Sequence, residues 1–125
     1  VGNVKEHSSA EILDREALLD RVGDDVAFLL ELVTMFSEQR VRLMREIRTA
    51  MQAGDAPALA RAAHTLKGCV GNLGGSLAFE AARRVETLAR QGQLNEAREA
   101  TPQLEEEVMR FERALLRLAE ELNRA

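Results

Sequence analysis

The sequence predicts an all-α fold: an antiparallel up-down-up-down four-helix bundle with a short additional N-terminal helix. Apolar residues make up 46% of the 125 residues, yet aromatic residues only 3%, with no Trp or Tyr. Ala, Leu, Glu and Arg, which favour helices, dominate the chain. Four long segments carry apolar residues mostly at three- and four-residue steps. Because only a few residues separate these segments, neighbouring helices should be antiparallel.

The first part of the chain predicts a tail followed by a short helix. Residues 1 to about 10 have no periodic pattern, so we interpret them as a flexible tail or linker before a domain at residues 11–125. Asp14 is suited to cap a short helix that Gly23 ends. We expect this helix to cover one end of the bundle.

The first two helices of the bundle are predicted to meet at Gly54. Asp25 opens an amphipathic helix that runs to about residue 53. Asp55 opens the next helix, which has Pro57 near its first turn and continues to about residue 73. Gly54 therefore separates two antiparallel helices.

The last two predicted helices follow a Gly-Gly turn. Ser76 is suited to cap the first of them, and Gly92 stops it. The final helix covers about residues 94–122 and contains Pro102. That helix either bends at Pro102 or restarts there with Thr101 as its cap.

Charge and composition exclude several classes of function. The net charge of -4, with 21 acidic and 17 basic residues scattered along the chain, disfavours nucleic-acid binding. No apolar run approaches the roughly 20 residues of a membrane span, so we expect a soluble domain. The single cysteine, Cys69, cannot form an internal disulfide, which makes the cytoplasm the default location. Two histidines and one cysteine are too few for a typical zinc site, and we expect neither a metal nor a cofactor.

His64 is predicted to face outward from its helix. At roughly 100° per residue, it lies roughly 160° from Leu66, the centre of the apolar stripe, and Lys67 lies at the flank. The residues of that stripe are Leu59, Ala62, Ala63, Leu66, Cys69, Val70 and Leu73. We interpret Cys69 as a packing residue because it belongs to the stripe. A partner could therefore reach His64 from the solvent.

Small residues surround His64 on the predicted surface. Ala60 and Gly68 lie one turn away, and Gly71 follows one turn later on nearly the same face. Each interior glycine costs roughly 1 kcal/mol relative to alanine, and the fold alone offers no reason for that cost. Access for a partner would supply such a reason, so we take these three residues as a docking surface.

The residues around His64 resemble the signature of histidine-containing phosphotransfer domains. The resemblance lies in residues 63–68, Ala-His-Thr-Leu-Lys-Gly, and residues 72–75, Asn-Leu-Gly-Gly, although Gly71 and Gly75 stand where alanine is more usual. It implies a helical bundle in which His64 accepts a phosphoryl group from an aspartate of a response-regulator receiver domain and passes it to another. It thus implies a phosphocarrier in a two-component phosphorelay, with a sensor histidine kinase as a further candidate partner.

The resemblance gives roles to the neighbouring polar residues. A free imidazole has a pKa of about 6.5, so much of it is neutral and nucleophilic near pH 7. Lys67 could counter the charge of the phosphate. Glu86 could orient the imidazole or could simply form a surface pair with Arg90, and both interpretations stay open. Arg83 and Arg84 could assist docking or only solubilise their helix, and Arg90 is a further candidate for docking.

Two alternative functions remain. The chain could be the phosphoacceptor domain of a chemotaxis-type histidine kinase, or a helical adaptor that never carries phosphate. A turnover of its own is not expected, because the sequence contains no paired nucleophile and base, metal cluster or Gly-rich phosphate loop. A single bundle that buries its own apolar residues predicts a monomer.

Overall fold

The computed structural model describes residues 9–124, and this part of the chain is entirely helical outside its turns. The all-α prediction is confirmed. In chain order the helices are α1 (Ser9–Ile12), α2 (Arg15–Val22), α3 (Val26–Ala53), α4 (Ala56–Asn72), α5 (Ser76–Arg90) and α6 (Leu94–Arg124).

The four long helices form the bundle. Helix α3 packs against α4 and α6, and α5 packs against α4 and α6, so that α4 and α6 lie across the bundle from each other. Connections of two or three residues make successive helices antiparallel. Phe36 on α3 and Phe111 on α6 meet edge to face in the core, with ring centroids 5.2 Å apart. The predicted architecture is therefore present.

Three aspartates cap the helices at the predicted positions. The side chains of Asp14, Asp25 and Asp55 accept hydrogen bonds from the backbone N–H three residues on, at 3.0, 3.0 and 3.1 Å. Gly23 and Gly54 end their helices in the left-handed conformation, with φ of 63° and 67°. These boundaries are set by local chemistry.

The predicted cap at Ser76 is wrong. Gly75 occupies the N-cap position without any side-chain hydrogen bond, and Ser76 is already the first residue of α5. A Cβ atom on Gly75 would lie 2.8 Å from Cδ1 and from Cε1 of Phe111. The turn before α5 approaches α6 so closely that the N-cap residue, Gly75, must lack a side chain.

Helix α6 continues through Pro102, which excludes a restart capped by Thr101. The Thr101 hydroxyl is buried and donates to the Ala97 carbonyl one turn back, at 2.9 Å. Core residues precede and follow the proline, including Ala97 and Leu104, both fully buried, whereas the proline itself is exposed. Packing on the inner face therefore maintains the helix across the proline.

The N-terminal segment covers the end of the bundle that contains the α4–α5 turn. The Asp14 N–H donates to the Gly74 carbonyl at 2.9 Å, and Arg21 donates to the Asn72 carbonyl at 3.0 Å. Of the predicted tail, residues 1–8 lie outside the described residues, and Ser9 belongs to α1. Helix α1 thus begins just before the predicted boundary at about residue 10 and close to Leu13, which is 2% exposed; the tail itself stays a prediction.

Candidate functional site

His64 lies on the outer face of α4, at the edge facing α5. Its side chain is 60% exposed, whereas the inner face of α4 is buried. Of the predicted stripe, six residues are buried and Cys69 is half-buried, with its thiol donating to Gln39 Oε1 at 3.4 Å. The predicted outward direction of His64 is confirmed.

Glu86 is the centre of a polar cluster that contains His64. Its side chain, only 8% exposed, projects from α5 towards α4. Glu86 Oε2 lies 2.9 Å from His64 Nδ1 and 2.7 Å from Arg90 Nη2, and Oε1 lies 2.8 Å from Lys67 Nζ. Glu86 thus contacts the imidazole and also pairs with Arg90, and its burial excludes a plain surface pair; its role in orienting the imidazole stays a prediction.

The Glu86 carboxyl is held in its ionised form. Burial alone would raise its pKa, but hydrogen bonds from Lys67, Arg90 and His64 outweigh burial and lower the pKa to about 2. An ionised carboxylate can only accept hydrogen bonds. We therefore assign the ring proton of a neutral His64 to Nδ1, which leaves the lone pair on Nε2.

Lys67 lies between the carboxylate and an aromatic ring. Its ammonium group is 2.8 Å from Glu86 Oε1 and 5.8 Å from the centroid of the Phe79 ring. Lys67 is one helical turn from His64, and its side chain is 21% exposed. Phe79 was not identified from the sequence; the nearby glycine at position 71, against which its ring packs, was the available signal.

The two interior glycines of α4 have different surroundings. A Cβ atom on Gly68 would meet nothing within 4 Å, so the surface beside His64 is open there. A Cβ atom on Gly71 would lie 2.9 Å from Phe79 Cδ2. The expectation that the fold offers no reason for Gly71 is therefore wrong, because the Phe79 ring occupies that space. Both glycines line a cavity of about 400 Å³ that extends from Lys67 to the α4–α5 turn.

Of the residues expected on the docking surface, Ala60 is buried, whereas Arg83 and Arg90 are exposed. Ala60 is 4% exposed and belongs to the core, because it shares with Lys67 the flank of α4 that α5 covers. Its side chain is therefore not available to a partner. Arg83 is exposed and pairs with Glu80 on its own helix at 2.8 Å, apart from the Glu86 cluster. Arg90, by contrast, belongs to that cluster.

The described residues contain no group of three His, Cys, Asp or Glu side chains that could hold a metal ion. Among the helices of residues 9–124, none is long and apolar enough to cross a bilayer.

Comparisons with known proteins agree with this geometry. The family model of the Hpt domain matches residues 31–123. The crystal structure of histidine-containing phosphotransfer protein B (HptB) from Pseudomonas aeruginosa PAO1 is similar, with a TM-score of 0.75 and 31% sequence identity. That match covers 90% of this chain and 98% of the other. No curated protein matches the sequence. The chain therefore belongs to the family of histidine-containing phosphotransfer domains and is a phosphocarrier in a two-component phosphorelay.

Proposed function

We propose that Nε2 of His64 accepts the phosphoryl group from an aspartyl phosphate of a receiver domain and later donates it to another aspartate. The contact between His64 Nδ1 and the ionised Glu86 carboxylate carries this proposal, since it directs the lone pair to the exposed nitrogen. The domain then serves as an intermediate without a turnover of its own.

The transfer is a displacement at phosphorus. The Nε2 lone pair forms the N–P bond while the bond from phosphorus to the aspartyl oxygen breaks and its electron pair leaves with the aspartate carboxylate. Because Nδ1 keeps its proton, the phosphorylated ring carries a positive charge. Glu86 lies 2.9 Å from that nitrogen and stabilises this charge. Reversal of the same step returns a neutral imidazole, so that one arrangement serves both directions.

Lys67 and Arg90 supply positive charge for the incoming group. Lys67 binds Oε1 of Glu86 at 2.8 Å, and Arg90 binds Oε2, the oxygen that also contacts the imidazole, at 2.7 Å. A phosphoryl group on His64 brings about two negative charges to this cluster. We expect the Lys67 ammonium to turn from Glu86 towards the phosphoryl oxygens, because it begins one helical turn from the imidazole.

The receiver docks, in this proposal, on α4 and the adjoining half of α3. Gly68 leaves the surface open beside His64, and the cavity of about 400 Å³ follows it along α4. On α3, Phe28 and Met35 are 42% and 53% exposed and lie two turns apart on one face. These exposed apolar side chains suit a transient protein contact. The receiver would supply the magnesium ion and the aspartate, and we place the domain in the cytoplasm as a monomer.

The test is transfer of a radiolabelled phosphoryl group from a phosphorylated receiver domain. We expect acid-labile label on the wild-type chain and on His7→Gln, the matched control at the other histidine, and none on His64→Gln. Label that survives His64→Gln would overturn the assignment. A folded wild-type chain that binds receivers and never takes label would instead be an adaptor.

A further inference from the structure

The outer face of α6 carries two arginines that form no salt bridge within the described part of the chain. Arg113 and Arg117 are exposed and lie one turn apart, and neither forms a salt bridge with any described residue. The arginines near them are paired: Arg110 with Glu106 at 2.8 Å, and Arg124 with Glu120 at 3.2 Å. Like charges one turn apart destabilise a helix, so the repulsion between these two arginines does not serve the fold, although Arg117 also acts on Glu121 through its charge.

Further guanidinium groups surround the same two residues. A cavity of about 240 Å³ between α6 and the segment before α2 is lined by Arg15, Arg110, Arg113 and Arg117, over apolar side chains. Beside this cavity, the pKa of Glu121 is lowered. The largest lowering cause is a hydrogen bond from Arg15, and the charges of Arg15, Arg117 and Arg124 add to it. Arg15 and Arg110 are themselves paired, with Glu121 at 2.7 Å and with Glu106 at 2.8 Å, so Arg113 and Arg117 supply the surplus positive charge of this face, although the chain as a whole has a net charge of -4.

Exposed apolar side chains flank the arginines. Met109 and Leu116 are 46% and 48% exposed. At roughly 100° per residue, both lie within about 60° of Arg113, which points directly away from the core. The α6 face, defined by Met109, Arg113, Leu116 and Arg117 with the adjoining Arg15 and Arg110, thus combines positive charge with apolar surface.

We propose that the α6 face is a second docking surface, which binds an acidic amphipathic helix of a partner protein. Guanidinium groups pair with carboxylates in bidentate geometry, and an apolar stripe on the partner helix would cover Met109 and Leu116. This binding goes beyond the proposed phosphotransfer and does not require His64.

The chemistry of the face favours a protein segment over other anions. A small phosphate ligand would leave Met109 and Leu116 uncovered, and the net negative charge of the chain opposes a polyanion such as a nucleic acid. Residues 1–8 of this chain contain one lysine and one glutamate and offer no matching net charge. A partner helix with both carboxylates and leucines can pair with the arginines and also cover the exposed apolar side chains.

The α6 face is remote from the phosphotransfer site in the architecture. Helix α6 lies across the bundle from α4, which carries His64, and its arginines point away from the core. A receiver and a helix on the α6 face can therefore bind at the same time. The second surface would hold the domain near its relay partners while the receivers exchange.

The experiment measures binding of a synthetic amphipathic helical peptide that carries glutamates on one face and leucines on the other. Calorimetry with the full chain should give saturable binding that weakens as salt rises from about 0.05 to 0.3 M. Arg113→Gln with Arg117→Gln should weaken it about tenfold. The matched pair Arg42→Gln with Arg45→Gln on α3, and His64→Gln, should leave it unchanged.

Further binding measurements distinguish an acidic helix from other possible ligands. A peptide with lysines in place of the glutamates should not bind, and Met109→Ala with Leu116→Ala should weaken binding of the acidic peptide. The proposal is overturned if the arginine variant binds the peptide like wild type, if inorganic pyrophosphate binds as tightly as the peptide, or if vesicles of anionic phospholipid bind more tightly. Phosphoryl transfer by the Arg113→Gln with Arg117→Gln variant should stay at the wild-type rate, so that either proposal can fail alone.

Discussion

Glu86 Oε2 lies 2.9 Å from Nδ1 of His64, although the two residues differ sharply in exposure: the carboxylate side chain is 8% exposed and the imidazole 60%. A fixed, buried negative charge therefore holds one nitrogen of an accessible ring. Because the carboxylate also binds Lys67 and Arg90, its position is fixed from three sides.

Glu86→Gln should slow phosphoryl transfer to His64 about tenfold, because a neutral amide stabilises the phosphorylated ring less than a carboxylate does. The measurement is the initial rate of label transfer from a phosphorylated receiver at saturating concentration. Glu106→Gln, at an exposed carboxylate that pairs with Arg110, is the control and should transfer at the wild-type rate. Equal rates for Glu86→Gln and wild type would show that Glu86 does not take part in phosphoryl transfer.

The low pKa of Glu86 gives this carboxylate a pH-dependent effect on stability. A folded-state pKa of about 2, below the ordinary 4.5, means that its contribution is complete above about pH 4.5 and is lost as the pH falls through about 2. Wild type should exceed Glu86→Gln in free energy of unfolding by about 1–3 kcal/mol at pH 7. Urea unfolding of both proteins from pH 7 to pH 2.5 checks this, and a difference that stays constant over that range would contradict it.

The helix boundaries that the sequence predicted correctly depend on local chemistry. Asp25 and Gly54 act on the backbone within one turn of themselves, so their effect is visible in the sequence. The boundary at Ser76 was wrong because Phe111, more than thirty residues away, requires a glycine before α5. The path through Pro102 likewise depends on core packing on the other face of α6.

In the candidate site, too, some features follow from one helix alone and others depend on packing between helices. The periodicity of α4 was sufficient to place His64 outside, since the direction of a side chain follows from the helix itself. The burial of Ala60 and the position of Glu86 depend on which flank of α4 meets α5. A helical wheel of α4 alone does not show which flank meets α5. The prediction therefore placed Ala60 on the exposed surface, although it is buried.

Lys67→Ala should slow phosphoryl transfer about tenfold and should lower the free energy of unfolding by only about 1 kcal/mol. The ammonium group binds Glu86 at the edge of the cluster, where Arg90 still neutralises the carboxylate. Transfer rates and urea unfolding of the same preparation separate the two effects. Arg90→Ala is the comparison, since it removes the other cation. A loss of stability large enough to unfold the chain would make Lys67 a structural residue.

Two alanine substitutions one turn apart in α4 should have opposite outcomes. Gly68→Ala should raise the free energy of unfolding by about 0.5–1 kcal/mol, because its Cβ meets nothing within 4 Å and alanine favours a helix. Gly71→Ala should lose that gain, because its Cβ would lie 2.9 Å from Phe79 Cδ2 and the ring must move. Despite its greater stability, Gly68→Ala should transfer phosphoryl groups more slowly, since the added methyl group lies on the proposed docking surface beside His64. Urea unfolding and transfer rates of both variants check these outcomes, and a Gly68→Ala protein that is stabilised and transfers at the wild-type rate would show that receivers do not approach that surface closely.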